Sequence, residues 1–207
     1  MNKQPTLPDL DDDILDRDPI KQFNEWYQLA IDHGLKHPGA MSLATATRDG
    51  MPSVRIVLLK QSDRRGFVFY SNYESRKGRE LAENPKAALA FFWPEFDRSI
   101  RIEGMITKLS SEESDKYFAE RPREGQLSSL TSAQSRIVKN RAELDERYEK
   151  LRNEYEGKEI ARPSHWGGYR LKPEAIEFWQ HRYARLNDRI LYTLMTDGSW
   201  SVCRLAP

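Results

Sequence analysis

Strand-like segments that follow one another with only short turns between them constrain the fold of this chain most. Nine segments rich in apolar, β-branched and aromatic residues can be read, at residues 40–47, 52–59, 66–71, 87–93, 99–106, 169–171, 175–179, 190–194 and 200–205. Asp49-Gly50 and Asp197-Gly198 provide turn signals between neighbouring segments. A parallel sheet would need a helical crossover between successive strands. The sequence therefore predicts a mainly β fold, a barrel decorated by helices, rather than a parallel βαβ sheet.

Helical segments interrupt this run of strands. Asp18 followed by Pro19 is an N-cap signal for a helix that extends to about residue 33. A short helix is expected to end near residue 83, and a capping box at 110–113 opens another. A strongly charged helix is predicted at 136–155.

The composition limits the functions that the chain can have. Its 207 residues suit one domain, which we expect at 19–207 after a mobile, Asp-rich N-terminal arm at 1–18. The formal net charge of +1 predicts neither a nucleic-acid surface nor a membrane surface. No apolar run approaches the ~20 residues of a membrane span, and no signal peptide is present, so a cytoplasmic location is expected. One cysteine and four histidines without metal-ligand spacing predict no metal site.

The second strand segment carries a cation at each end. Ile56-Val57-Leu58-Leu59 is apolar at successive positions, so this strand is predicted to be buried on both sides. Arg55 and Lys60 flank it. These cations indicate a functional site, or they are ordinary side chains whose aliphatic stems lie on apolar surface while the charged ends reach solvent.

Three further clusters contain anion-binding groups. Ser75-Arg76-Lys77 lies where a strand is predicted to meet a helix N-terminus, a place that suits a phosphate. A second cluster begins at Arg121 and ends at Gln126. The third contains Arg182, Arg185 and Arg189, close to Trp179. It can bind a phosphorylated aromatic ligand, or it can be a solvated hairpin end with surface ion pairs.

An ordered set of short motifs closely resembles the pyridoxine (pyridoxamine) 5'-phosphate oxidase family from about residue 19 to the C-terminus. The motifs are Arg55-Ile56-Val57-Leu58-Leu59-Lys60, Ser75-Arg76-Lys77, Arg101-Ile102-Glu103-Gly104, Tyr117-Phe118-x-x-Arg121-Pro122, Gln134-Ser135, Trp166-Gly167-Gly168, Glu177-Phe178-Trp179-Gln180 and the terminal Arg204-Leu205-Ala206-Pro207. The resemblance implies an FMN-binding split β-barrel of the Greek-key type, in a homodimer with two FMN sites at the subunit interface. It also implies a C-terminal dimerisation and substrate segment at about 160–207. The implied reaction is oxidation of pyridoxamine or pyridoxine 5'-phosphate by O2 to pyridoxal 5'-phosphate and H2O2.

The resemblance also implies roles for individual residues. The residues that match flavin-contacting positions are Arg55, Lys60, Tyr70, Ser71, Arg76, Lys77, Ser99, Gln134, Ser135, Trp179 and Arg189. Those that match substrate-binding positions are Lys60, Tyr117, Arg121, Gly125, Arg185 and Asn187, of which Arg185 and Asn187 are the implied catalytic pair.

Three of these positions depart from the family pattern. The family usually has His where Asn187 stands, Ser where Gly125 stands and Gln where Ser99 stands. Asn cannot become cationic, and Gly offers no hydroxyl. The alternatives are therefore a related FMN split-barrel protein with another substrate, or a protein that binds pyridoxal 5'-phosphate or FMN with weak turnover. A nucleic-acid-binding barrel would use the same arginines and aromatic residues, but the near-zero net charge argues against it.

Overall fold

The computed structural model describes residue 10 and residues 15–207, and most of the predicted mobile arm lies outside these residues. The strands are β1 (Ala40–Ala46), β2 (Pro52–Leu58), β3 (Gln61–Asp63), β4 (Gly66–Asn72), β5 (Lys86–Trp93), β6 (Arg98–Lys108), β7 (Trp166–Gln180), β8 (Asp188–Leu194) and β9 (Trp200–Arg204). The helices are α1 (Pro19–Asp32), α2 (Arg76–Glu83), α3 (Ser111–Glu120), α4 (Arg123–Thr131) and α5 (Arg141–Glu154). No helix within the described ranges is long and apolar enough to cross a membrane.

The strands form one antiparallel sheet that curls into a split barrel. Its order is β2-β1-β5-β6-β7-β4-β3, and β8 and β9 extend it from the second half of β7. Although four strands separate β2 from β4, residues of both line the same cavity, so the sheet must curl until these strands face each other. A bulge between Glu103 and Gly104 helps this curvature. The prediction of a mainly β barrel with helices is confirmed.

Aromatic packing by α1 fills the barrel. Phe23 is fully buried, and its ring meets those of Phe67 and Phe91 at centroid distances of 4.8 and 5.1 Å. Trp26 packs edge-on against Phe178 at 5.1 Å. Such ring pairs stabilise a core by about 0.5–1.5 kcal/mol each beyond the area they bury. The helix begins where the sequence predicts, because the Asp18 carboxylate accepts a hydrogen bond from the Ile20 amide.

A second, smaller core holds α3 and α4 beside the barrel. Phe118 of α3 and Leu127 of α4 are buried together with Ile160 and Trp166. The predicted capping box at the start of α3 is confirmed. Helix α4 was not predicted, because its nine residues have no capping side chain at the N-terminus and only a thin apolar stripe. This small core places α4 opposite β4.

Several predicted boundaries differ from the structure. The charged helix begins at Arg141 rather than 136, because Asn140 caps it. The segments at 169–171 and 175–179 belong to one long strand, β7, because its pairing with β6 continues on both sides of a bulge at Glu174. The short strand β3, which pairs with β4, was not predicted from the sequence.

The prediction that the second strand is buried on both sides is wrong for the single chain. Val54, Ile56 and Leu58 are 68%, 64% and 48% exposed. The reason is topological: β2 is the end strand of the sheet, and no element among the described residues covers its outer face. An exposed apolar stripe of this kind is typical of a protein interface.

Candidate functional site

A cavity of about 700 Å³ opens between β2, β4 and the helices α3 and α4. Its size is within the usual range for a site that binds a small molecule or cofactor. Half of the sixteen residues singled out from the sequence line it, namely Arg55, Lys60, Tyr70, Ser71, Lys77, Tyr117, Arg121 and Gln134. They come from five separate stretches of sequence, so the curl of the sheet and the second core are what bring them together.

One wall of the cavity is supported by a buried carboxylate, Glu80, which is 3% exposed. Its oxygens accept hydrogen bonds from Arg55 Nη2 at 3.2 Å, Arg76 Nε at 2.8 Å and Ser53 Oγ at 2.6 Å, and from the hydroxyl of Thr45. Burial by itself would raise the pKa of Glu80, but these hydrogen bonds outweigh it and lower the pKa to about 2. Glu80 therefore pairs with both arginines, and its single negative charge offsets one of their two positive charges.

Glu80 was not identified from the sequence. The available signal was its position four residues after Arg76 on a helix, the spacing of an intrahelical ion pair. The contact with Arg55, which lies 25 residues away in sequence, depends on the fold.

Next to this carboxylate, Lys77 has only neutral oxygen atoms as partners. Its Nζ donates to Gln134 Oε1 at 2.7 Å, Ser71 Oγ at 3.1 Å and Ser75 Oγ at 3.2 Å. Within residues 15–207 no carboxylate lies at ion-pair distance from it. Burial, and then the nearby charge of Arg55, lower the pKa of Lys77 to about 8. A buried ammonium with neutral partners at a helix N-terminus is well suited to bind a phosphate.

Three aromatic rings form the middle of the cavity wall. Tyr70 and Tyr117 stack with centroids 3.8 Å apart, and Trp166 lies 5.4 Å from Tyr70 in a nearly parallel plane. Burial raises the pKa of Tyr70 to about 12, so its phenol is neutral at physiological pH. This flat surface can hold a planar ring and exclude water from it.

Arg121 lies at the far end of these rings. Its guanidinium is 4.6 Å from the centroid of Trp166, and its Nη1 donates to Ser129 Oγ at 2.5 Å. The described part of the chain contains no carboxylate at ion-pair distance from it. Burial lowers the pKa of Arg121, but the group stays cationic. The cavity therefore has two cationic ends, separated by a wall of aromatic rings.

The remaining predicted residues do not reach this cavity within the single chain. Ser99, Trp179 and Arg189 are adjacent in register on β6, β7 and β8 and share the outer face of the sheet. There the buried Glu177 binds Arg189 through two hydrogen bonds, of 2.8 and 3.2 Å.

Arg185 and Asn187 lie in the connection from β7 to β8, which has an unusual backbone. Ala184 and Arg185 adopt positive φ values of 57° and 64°, which non-glycine residues rarely do. Asn187 Oδ1 accepts a hydrogen bond from the Arg182 amide at 3.0 Å and so closes the loop. Ser135, another predicted site residue, also has a positive φ of 69°. Strain of this kind is common where a chain presents binding groups.

Family comparisons agree with the geometry of the cavity. Residues 28–155 match the family model described as pyridoxamine 5'-phosphate oxidase. Residues 166–207 match the C-terminal dimerisation region of pyridoxine 5'-phosphate oxidase. Proteins named pyridoxine/pyridoxamine 5'-phosphate oxidase from Trichormus variabilis and Paraburkholderia phytofirmans are each 50% identical, and the alignments cover 100% of this chain and 97% of each relative.

Solved structures share the fold over nearly the whole chain. PhzG from Burkholderia lata, crystallised with tetrahydrophenazine-1-carboxylic acid, is 31% identical with a TM-score of 0.92 over 99% of this chain and all of that one. An FMN-binding protein from Nostoc punctiforme, described as related to pyridoxamine 5'-phosphate oxidase, has a TM-score of 0.73 over 93% of this chain and all of that one. At 16% identity, the second structure supports the fold alone.

Proposed function

This chain belongs to the pyridoxamine 5'-phosphate oxidase family of FMN-binding split-barrel oxidoreductases, and we propose that it oxidises pyridoxamine or pyridoxine 5'-phosphate. Pyridoxine 5'-phosphate and O2 would give pyridoxal 5'-phosphate and H2O2. Pyridoxamine 5'-phosphate would also consume water and release ammonia. FMN, the family cofactor, supplies the two-electron redox chemistry when bound, and the protein supplies binding, orientation and exclusion of water.

The observation that carries this proposal is the pair of cationic ends in one cavity. The cofactor and the vitamer each contain one phosphate and one flat ring system, so a site for both needs two separate anion-binding ends and aromatic surface between them. Lys77, with Ser71 and Gln134, provides one end, and Arg121 provides the other. The stacked Tyr70 and Tyr117 lie between these ends.

The residues divide into two roles. Lys77 and its partners hold the cofactor phosphate, while Arg55 is kept in place by Glu80. Arg121 and Tyr117 hold the phosphate and ring of the substrate. Fixed positions of this kind lower the barrier by placing the substrate carbon against the flavin before reaction.

We propose that four predicted site residues complete the cavity of a neighbouring subunit. Trp179, Arg185, Asn187 and Arg189 lie away from the cavity of their own chain, and the C-terminal residues match a dimerisation region. The exposed apolar stripe on β2 borders the cavity, since Ile56 also lines it. A homodimer that covers β2 would bring the second set of residues to the first.

Light scattering can test this assembly. Ile56→Glu places a charge in the proposed interface and should convert the dimer to a monomer with weakened FMN binding. Ile137→Glu is the matched control, because Ile137 is fully exposed elsewhere on the chain. A parent protein that is monomeric with one tightly bound FMN would contradict the shared site.

The visible spectrum tests the reaction. The purified protein should be yellow, and anaerobic pyridoxamine 5'-phosphate should bleach the flavin absorbance. Pyridoxal 5'-phosphate should form during this bleaching, and air should then restore the absorbance with formation of H2O2. Unphosphorylated pyridoxamine, the control, should react only at much higher concentration because it cannot use Arg121. If neither phosphorylated vitamer bleaches the flavin at saturating concentration, the proposed substrate is wrong.

A second candidate is a carboxylated aromatic substrate. Its support is the structure of PhzG, which matches this chain at a TM-score of 0.92 and contains a tetrahydrophenazine carboxylic acid. Arg121 can bind a carboxylate as well as a phosphate. Parallel anaerobic titrations with pyridoxamine 5'-phosphate and tetrahydrophenazine-1-carboxylic acid would separate the two candidates, because the true substrate reduces the flavin at the lower concentration.

A further inference from the structure

The surroundings of Arg121, the C-cap residue of α3, suggest how this chain holds its substrate-side cation. Ser129 Oγ accepts a hydrogen bond from Arg121 Nη1 at 2.5 Å, and Ser129 is 7% exposed. The hydroxyl also donates its single proton to the Gly125 carbonyl oxygen at 3.0 Å. Because that bond fixes the hydroxyl rotor, the lone pairs of Ser129 are directed to the guanidinium.

Gly125 lies one helical turn before Ser129 and faces the same guanidinium. A Cβ atom at Gly125 would lie 3.2 Å from Arg121 Nη2 and 3.5 Å from both Cζ and Nε. The contact with Nη2 is tighter than most Cβ contacts, so a side chain at this position would push the guanidinium away by a few tenths of an ångström. The two positions are related by i and i+4 on one face of α4. Gly125 leaves the space that the guanidinium of Arg121 occupies, and Ser129 accepts a hydrogen bond from the guanidinium there.

We propose that Ser129 is a positioning residue that holds Arg121 for the phosphate of the substrate, and that Gly125 determines where the guanidinium can lie. This inference rests on the proposed function, because it deepens the role of Arg121 in that site. It also explains how a chain with no hydroxyl at position 125 keeps one beside the substrate-side cation. The two positions act as a pair, so changing either should weaken recognition of the phosphate and leave recognition of the ring largely unchanged.

Two variants test the pair in the FMN-loaded protein. Ser129→Ala removes the acceptor, and Gly125→Ala crowds the guanidinium. Thr131→Val is the matched control, because the Thr131 hydroxyl also donates to the carbonyl four residues earlier, Leu127, at 2.9 Å, but lies outside the cavity. Calorimetric titration with pyridoxal 5'-phosphate and, separately, with inorganic phosphate measures binding without turnover.

We expect both test variants to raise the dissociation constants of pyridoxal 5'-phosphate and of inorganic phosphate about fivefold to tenfold, and Thr131→Val to change them less than twofold. In turnover, KM should rise while kcat stays near the parent value, because the lost contact is made equally in the ground and transition states. Gly125→Ala should also keep or raise the melting temperature, since Ala is the better helix former. Loss of phosphate affinity in a protein that is no less stable cannot be attributed to misfolding.

Unchanged phosphate affinity in both variants would overturn the proposal, as would an equal loss in Thr131→Val. The outcomes also separate the inference from the proposed function. If the parent binds both ligands through this pair but does not oxidise the vitamers, the function fails and the inference stands. If the parent oxidises them and the variants bind as the parent does, the inference fails and the function stands. A parent that binds neither ligand contradicts both.

Discussion

The cations of the site fall into two groups, one that is paired with a carboxylate and one that is not. Arg55 and Arg76 share the carboxylate of Glu80, at 3.2 and 2.8 Å, so an anion already contacts both arginines before any ligand arrives. Lys77 and Arg121 contact only neutral oxygen atoms and aromatic rings. A cation paired with a carboxylate mainly maintains the shape of the wall, whereas a buried cation without an anion raises the energy of the empty site. The difference predicts which residues an incoming phosphate will bind most strongly.

The largest expected effect is on cofactor binding when Lys77 is removed. Lys77→Ala eliminates a charge-assisted hydrogen bond and should weaken FMN binding by about 1.5–3 kcal/mol, or roughly 10-fold to 150-fold. Quenching of flavin fluorescence during titration of the apoprotein measures this constant. Arg79→Ala, on the same helix but with its side chain bonded to the Glu74 carbonyl, is the control and should change little. Parent-like affinity in Lys77→Ala would remove this lysine from the phosphate site.

A smaller effect is expected when the carboxylate of Glu80 is removed, and it concerns protein stability rather than cofactor affinity. Glu80→Gln keeps the size of the side chain but leaves two arginines without their anion, so the free energy of unfolding of the apoprotein should fall by about 1–3 kcal/mol. Chemical denaturation with and without FMN measures it. Bound FMN should recover part of the loss, because its phosphate can replace the missing charge beside Arg55. A loss that is identical with and without FMN would show that these arginines lie outside the influence of the phosphate.

The cations of the site could be predicted from the sequence, but the residues that hold them in place could not. Lys77 and Arg121 stand in short motifs, so their part in the site was expected, and the strands that carry the cavity follow from local patterns. Glu80 and Ser129 were missed because their roles depend on partners that only the fold supplies: Thr45 and Arg55 from β1 and β2, and the guanidinium that lies over Trp166. The exposure of β2 was misjudged because an apolar strand looks the same in sequence whether its own chain or another subunit covers it.

A change of pH should affect the Lys77 end of the cavity and not the Arg121 end, because of these two cations only Lys77 can lose its charge near neutrality. Its pKa of about 8 lies below the ordinary value of 10.5. Below pH 8 the lysine is charged in both the folded and unfolded apoprotein, so it adds no pH dependence to stability. Between pH 8 and 10.5 the unfolded chain binds more protons, so this group makes the apoprotein more stable as pH rises.

FMN affinity should change in the opposite direction over the same range. A bound phosphate favours the ammonium, so binding above pH 8 must take up a proton, and affinity should fall by up to about tenfold per pH unit. Arg121 stays charged throughout, so the affinity of the substrate-side end for inorganic phosphate should vary far less. Titrations from pH 7 to 9.5 on the parent and on Lys77→Arg, whose guanidinium does not lose its proton, measure the contrast. A fall in FMN affinity that persists in Lys77→Arg would assign the titration to another group.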